Sequence, residues 1–165
     1  MIIVEGMDGV GKTTLVDYLV TQGMSKHHFD YDSKNLDLMT KYMKLLENET
    51  DDLVLDRSFI SEMVYGPVLR GASKLQLIDY KELLLAYQSV GLFIIYLTAP
   101  KNELLKRRKN DCSDYSNLAK YYDDLNRQYD FIMSYTQQFV DVHKFDTKEV
   151  SETEVQQSVK KLVLK

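Results

Sequence analysis

A chain of 165 residues, 44% hydrophobic and 28% charged, fits one domain with an adequate core. Its formal net charge of -4 argues against a general binder of nucleic-acid polymers, which takes a basic excess, yet leaves room for a basic pocket around one small anion. The single cysteine, Cys112, excludes an internal disulfide and a thiolate-rich metal site. No apolar stretch approaches the length of a membrane span and no charged-then-apolar leader precedes the first apolar run. The expectation is a cytoplasmic protein with no membrane partner.

Ile2 to Val4 reads as a buried strand. Gly6-Met7-Asp8-Gly9-Val10-Gly11-Lys12-Thr13 follows and fits the phosphate-loop pattern: a glycine, four residues, then Gly-Lys-Thr. From Thr14 the apolar residues recur at helical spacing. Strand, glycine loop and helix form the context this motif needs. The glycines let successive N–H groups and the helix N-terminus point at one anion. The candidate nucleotide-binding residues are Gly6, Gly9, Val10, Gly11, Lys12, Thr13 and Thr14. Lys12 can reach the outer phosphates of a nucleotide, and the Thr13 hydroxyl can sit on Mg²⁺.

Thr21 to Gly23 ends the first helix, and a second strand is placed near residues 27–31. His27, His28, Asp30 and Asp32 invite a metal site. Neighbouring strand residues point to opposite sides, however, so the two histidines are read as facing solvent. Ser33 to Asn48 has a helical pattern. Leu53 to Leu55 is a short strand centre that runs into Asp56-Arg57. In a parallel sheet, residues just past the strand ends face the ligand crevice. Asp56 there can bind Mg²⁺ directly or through water, and Arg57 can grip a phosphate bidentately. Phe59 to Leu69 is mixed, with a break or bend expected at Gly66-Pro67. Arg70 is a candidate second phosphate or base contact, or a solvated residue beside a turn.

Ser73 to Val90 reads as a long crossover helix, and Leu92 to Thr98 as a strand covered on both faces. Pro100 opens a helix from Lys101 to Lys109, which ends in the basic run Lys106-Arg107-Arg108-Lys109. Phosphoryl transfer needs positive charge over the phosphates and exclusion of water. The region 106–117 is therefore read as a lid with a helix-poor tip from Asp111 to Asn117. Leu118 to Phe139 is a second long helix, residues 139–144 a last strand, and Val150 to Lys165 a terminal helix whose Ser151 and Glu154 fit a capping box. With strands near 1–5, 27–31, 52–56, 92–98 and 139–144, the expected fold is a three-layer α/β domain spanning 1–165, a mostly parallel five-stranded sheet flanked by helices with a short lid.

These residues resemble the thymidylate kinase and deoxynucleoside kinase branch of the phosphate-loop proteins. The resemblance spans most of the chain and rests on Val4 to Thr14, Asp56-Arg57-Ser58 and Ser61 to Gly66, with weaker support from Tyr96 to Pro100 and Tyr121 to Leu125. It implies ATP and Mg²⁺ held by Lys12 and Thr13, an acceptor 5′-phosphate on Arg57, Asp8 near a deoxyribose 3′-hydroxyl, Tyr65 along the sugar, and Arg107 or Arg108 over the phosphates. It also implies a homodimer through helices between Ser61 and Val90. Two reactions remain open. A deoxynucleoside 5′-monophosphate, thymidylate-like or a modified pyrimidine, brings its own nucleophile and needs alignment and neutralisation. A nucleoside must lose a 5′-hydroxyl proton to a carboxylate, and Asp56 would be that general base. A nucleotide-binding regulator without kinase activity is the third alternative. The chain is shorter than typical thymidylate kinases and lacks their Arg-Glu-Pro stretch, His27 to Asp32 standing in its place. Of the residues that grip thymine only Tyr42 has a counterpart region. The compact chain suits a viral enzyme acting in host cytoplasm.

Overall fold

The computed structural model describes residues 1–28, 37–48, 52–109 and 112–163. Five strands, β1 (Ile2–Glu5), β2 (Ser25–His28), β3 (Leu53–Asp56), β4 (Phe93–Thr98) and β5 (Asp141–Asp146), form one sheet in the order β2-β3-β1-β4-β5. Every pairing is parallel. The helices are α1 (Lys12–Thr21), α2 (Leu38–Asn48), α3 (Phe59–Arg70), α4 (Leu77–Ser89), α5 (Lys101–Arg107), α6 (Cys112–Thr136) and α7 (Glu152–Val163). Parallel strands need crossovers, and helices covering both faces explain why β1 and β3 are buried at every residue. Among the described residues no helix is long and apolar enough to cross a membrane.

The chain leaves β1 toward α1 and β2 on one side, while β4 lies on its other side. Ligands of open α/β sheets bind where the strand order reverses in this way, beyond the carboxyl ends of the strands. Register aligns those ends: Val4 pairs with Asp56, and His28 lies across from the same Asp56. Below this edge an aromatic cluster joins three helices. The Phe59 ring meets Tyr42, Tyr80 and Tyr87 edge-on at 5.2, 5.6 and 5.1 Å.

Several expected boundaries shift. The second strand starts at Ser25, and its expected end at 29–31 lies outside the described residues, as does the start of the second helix at 33–36. α3 runs unbroken through Gly66-Pro67. Pro67 deprives the Met63 carbonyl of its helical N–H, and Gln128 Nε2 on α6 donates to that oxygen at 2.9 Å instead. α4 begins at Leu77 rather than Ser73, because Lys74 N is drawn away to Glu62 Oε1 at 2.7 Å. α6 begins at Cys112, so the expected helix-poor tip is helical from that residue on, and residues 110–111 lie outside the described set. The capping box of α7 forms: Ser151 N donates to Glu154 Oε2 at 2.9 Å and Glu154 N to Ser151 Oγ at 3.3 Å.

Candidate active site

The loop from Gly6 to Gly11 joins β1 to α1 at the carboxyl edge of the sheet. Gly6 has φ +142°, and a Cβ there would lie 2.2 Å from the Leu97 carbonyl oxygen, so only glycine lets the loop cross β4 this closely. Gly11 caps α1 with φ +96° and open space where a side chain would stand. Gly11 and the residues after it border a cavity of about 400 Å³ also lined by Asp56, Arg57, Arg107 and Arg108, among others. Lys12 Nζ bends back to donate to the Met7 carbonyl at 2.8 Å. Burial pushes its ammonium down to about 8, helped by the Arg57 charge and opposed by Asp8, Glu5 and Asp56.

Asp8 sits among three cations. It pairs closely with Arg57 Nη2, and Lys12 Nζ and Arg108 Nη2 each stand 3.8 Å from its Oδ1. Burial alone would raise its pKa, but the charges of Arg57, Lys12 and Arg108 hold the carboxyl below its ordinary value. Arg57 follows β3 with φ +69°, a left-handed backbone that non-glycine residues adopt at a cost. Its amide donates to the Val4 carbonyl at 3.2 Å, and its guanidinium lies 5.0 Å over the Tyr65 ring. Asp56 Oδ2 has Lys26 Nζ at 3.6 Å and His28 Nδ1 at 3.8 Å. Thr13 and Asp56 thus line one cavity, as a shared Mg²⁺ with phosphate ligands would need. Among the described residues no group of three His, Cys, Asp or Glu side chains forms a self-sufficient metal site.

At the other end, Arg107 holds the loop from β5 to α7 and the phosphate loop together. Its Nη1 donates to the Gly9 carbonyl at 3.2 Å and to Thr147 Oγ1 at 2.9 Å, and its Nη2 to the Thr147 carbonyl at 2.9 Å. Behind it lies a cavity of about 150 Å³ lined by Val10, Gly11, Thr14, Leu97, Arg107, Thr147 and Val155, among others. Arg108 lies across the phosphate loop itself, its Cγ 3.3 Å from where a Gly9 side chain would begin. The two lid arginines therefore face different parts of the crevice.

A third cavity, about 290 Å³, opens between α3 and α6, with Asp8, Arg57, Ser61, Glu62, Tyr65, Arg70 and Tyr121 in its wall. Tyr65 and Arg70 thus line the same cavity as Arg57. Tyr42 does not. It is fully buried in the core against Phe59, and its carbonyl accepts the Tyr87 hydroxyl at 3.0 Å, so the expected thymine contact is replaced by a packing role. His28 is exposed, as expected; it also borders the 400 Å³ cavity, and its Nδ1 lies 3.2 Å from the Asp56 carbonyl. His27, Asp30 and Asp32 form no described metal cluster, the two aspartates lying outside the described residues.

Two carboxylates escaped the sequence reading. Glu5 is fully buried at the end of β1 and accepts the hydroxyls of Ser58 (3.0 Å), Ser61 (2.8 Å) and Tyr129 (3.2 Å). Burial raises its pKa, against the pull of Arg57, Ser61, Ser58 and Lys12. Ser58 Oγ in turn accepts from Ile60 N as the N-cap of α3. Glu5 thereby ties the turn that carries Arg57 to the strand that carries the phosphate loop. Glu62, likewise buried, faces the third cavity. A glutamate that ends an apolar strand just before the phosphate loop was a signal for Glu5; Glu62 had none.

No protein-family profile and no curated protein sequence matches this chain. Solved structures do. The YorR protein of Bacillus subtilis, in complex with phosphorylated GDP, superposes with a TM-score of 0.84 at 23% identity over 98% of this chain and 94% of that one. Deoxyadenosine kinase from M. mycoides with bound dCTP gives 0.63 at 16% identity, covering 98% of both chains. Thymidylate kinase from Candida albicans gives 0.62 at 17%, covering 98% of this chain and 89% of that one. The fold is that of the phosphate-loop kinases. Strand order and loop position both belong to it.

Proposed function

We propose that this protein transfers the γ-phosphoryl group of ATP to the 5′-phosphate of a deoxynucleoside monophosphate, releasing ADP and a nucleoside diphosphate. One observation carries the reading. The phosphate cavity and the cavity between α3 and α6 share Asp8 and Arg57 in their walls, while the phosphate cavity and the one behind Arg107 share Gly11, Thr14 and Arg107. On this reading the three adjoining cavities serve as a base site, a polyphosphate site and an acceptor site.

In this reading the loop amides and Lys12 bind the β- and γ-phosphates, and Arg107 closes the adenine end. Arg57 holds the acceptor phosphate, whose oxygen attacks the γ-phosphorus as the bond to the β-phosphate oxygen breaks. Arg108 covers the charge that develops between them. Mg²⁺, held by Thr13, Asp56 and the phosphates, would neutralise the β- and γ-oxygens. A monophosphate needs no strong base. A nucleoside does, and Asp56 lines the phosphate cavity and not the acceptor cavity. The carboxylates that do face the acceptor cavity each pair with an arginine, Asp8 with Arg57 and Glu62, through Oε1, with Arg70. That favours the monophosphate. The similar YorR structure is a complex with phosphorylated GDP, which supports a nucleotide as ligand here.

The test is product-resolved ATP turnover with Mg²⁺ and a panel of deoxynucleosides and their 5′-monophosphates. Diphosphate formed only from monophosphates is expected; phosphorylation of nucleosides alone would move the acceptor's 5′-hydroxyl into the site and overturn the reading. Lys12→Ala should lower turnover by at least about 100-fold with every acceptor, as loss of a charge on the transferring phosphates does. Arg57→Ala should chiefly raise KM for the monophosphate and leave ATP affinity within about threefold, since a lost acceptor contact acts on acceptor binding. Equal losses for nucleosides and monophosphates would contradict that role.

A further inference from the structure

The acceptor cavity is a slot between two helix faces. Glu62, Tyr65 and Leu69 follow one another along α3, and Leu118, Tyr121 and Leu125 along α6, both at the three- and four-residue spacing that keeps side chains on one side of a helix. Arg57 marks the phosphate end. Farther along α3 the polar groups are Glu62 and Arg70, and they are held in place. Glu62 Oε1 accepts Lys74 N at 2.7 Å and Arg70 Nη2 at 2.5 Å. Gly66 makes this possible: a Cβ there would lie 2.8 Å from Glu62 Oε1 and 2.9 Å from Ser73 Cα, so the segment bearing Lys74 presses onto α3 only because residue 66 lacks a side chain. Glu62 Oε2 accepts no hydrogen bond from the described residues.

We propose that Glu62 and Arg70 read the base of the acceptor nucleotide and select bases with an exocyclic amino group over thymine and uracil. This deepens the functional reading above and rests on its placement of the acceptor. A carboxylate is an acceptor only, and a guanidinium a donor only. Fixed side by side, they complement a base edge on which an N–H donor adjoins an acceptor. Cytosine offers its amino group to Glu62 with N3 and O2 toward Arg70; adenine offers N6–H beside N1; guanine offers N1–H and its amino group beside O6. Thymine and uracil present a lone N3–H between two carbonyls, so a carboxylate that takes this hydrogen meets a carbonyl oxygen on each side. A site that hydrogen-bonds a substrate N–H discriminates strongly against an analogue that leaves its polar groups unpaired. Tyr42 in the core removes the thymine contact that the thymidylate branch would supply.

The experiment compares dCMP with dUMP, in which a carbonyl replaces the amino group and N3 gains a proton, and dGMP with dIMP, which differ only in the amino group. Their affinities are measured by calorimetry on the wild type, Glu62→Gln and Arg70→Met, with a non-hydrolysable ATP analogue present, and transfer from ATP is assayed in parallel. In at least one pair the amino-bearing member should bind about 100-fold more tightly. Glu62→Gln, whose amide oxygen can still accept from Lys74 N, should cut that ratio to about tenfold or less, and Arg70→Met should weaken the preferred nucleotide. Equal affinities in both pairs overturn the proposal and leave the kinase reading standing. Equal weakening of both members by Glu62→Gln overturns it as well. Selective binding without transfer supports base selection and overturns the kinase reading instead. No binding of any monophosphate overturns both.

Discussion

On the proposed function, Lys12 is a residue whose protonation a bound nucleotide would change. Without one, its ammonium is buried beside Arg57 and its pKa stands near 8 instead of 10.5. A polyphosphate supplies the missing counter-charge and draws the proton back. The sign follows from linkage. The unfolded chain keeps this proton up to about 10.5 and the folded one only to about 8, so the burial penalty is present in full below pH 8 and fades as pH rises toward 10.5. The unliganded protein should therefore gain stability from this group over that window while ATP affinity falls. Calorimetry of ATP binding at pH 8 in buffers of different ionisation enthalpy should reveal uptake of about half a proton, and Lys12→Arg should take up none. Identical heats in all buffers for the wild type would mean that Lys12 is already fully charged before the nucleotide binds.

Helix α3 carries Arg57's turn, Ser61, Glu62, Tyr65 and Arg70 on a single element, and it survives Pro67 through a bond from another helix. A double-mutant cycle tests this. Gln128→Leu should cost about 1–3 kcal/mol, because the Met63 carbonyl is left unsatisfied. In a Pro67→Ala background, where residue 67 regains its N–H, the same change should cost little. Equal costs in both backgrounds, read from denaturant midpoints, would detach Gln128 from the proline. The example also shows where sequence reading reached its end. Gly6 to Thr13 and Asp56-Arg57 were legible because their chemistry is local: a turn, a helix start, a strand end. Pro67 read as a break or bend because its remedy lies on α6, far along the chain. Tyr42 and Glu62 both fall at helical spacing, and only packing against Phe59 on one hand and Lys74 on the other decides which enters the core and which the cleft. The place of His28 beside the cavity depended on register with Asp56, which no periodicity encodes.

Across the whole molecule, the parallel sheet brings the carboxyl ends of its five strands to one edge, and two cavities there meet at Asp8 and Arg57, on the proposed function the donor and acceptor regions. The alternation of apolar runs and amphipathic helices made this architecture readable in advance, whereas the division of the crevice into three chambers came from side chains of α3, α6 and the β5–α7 loop. The continuity of those chambers is the central claim, and a bisubstrate ligand tests it most directly: adenosine joined through five phosphates to the deoxynucleoside that the transfer assay prefers. Spanning both sites, it should bind roughly 100-fold or more tightly than ATP, because the second contact becomes intramolecular, and Arg57→Ala should erase most of that gain. Affinity no greater than that of ATP, unchanged by Arg57→Ala, would mean that donor and acceptor do not meet across Asp8 and Arg57.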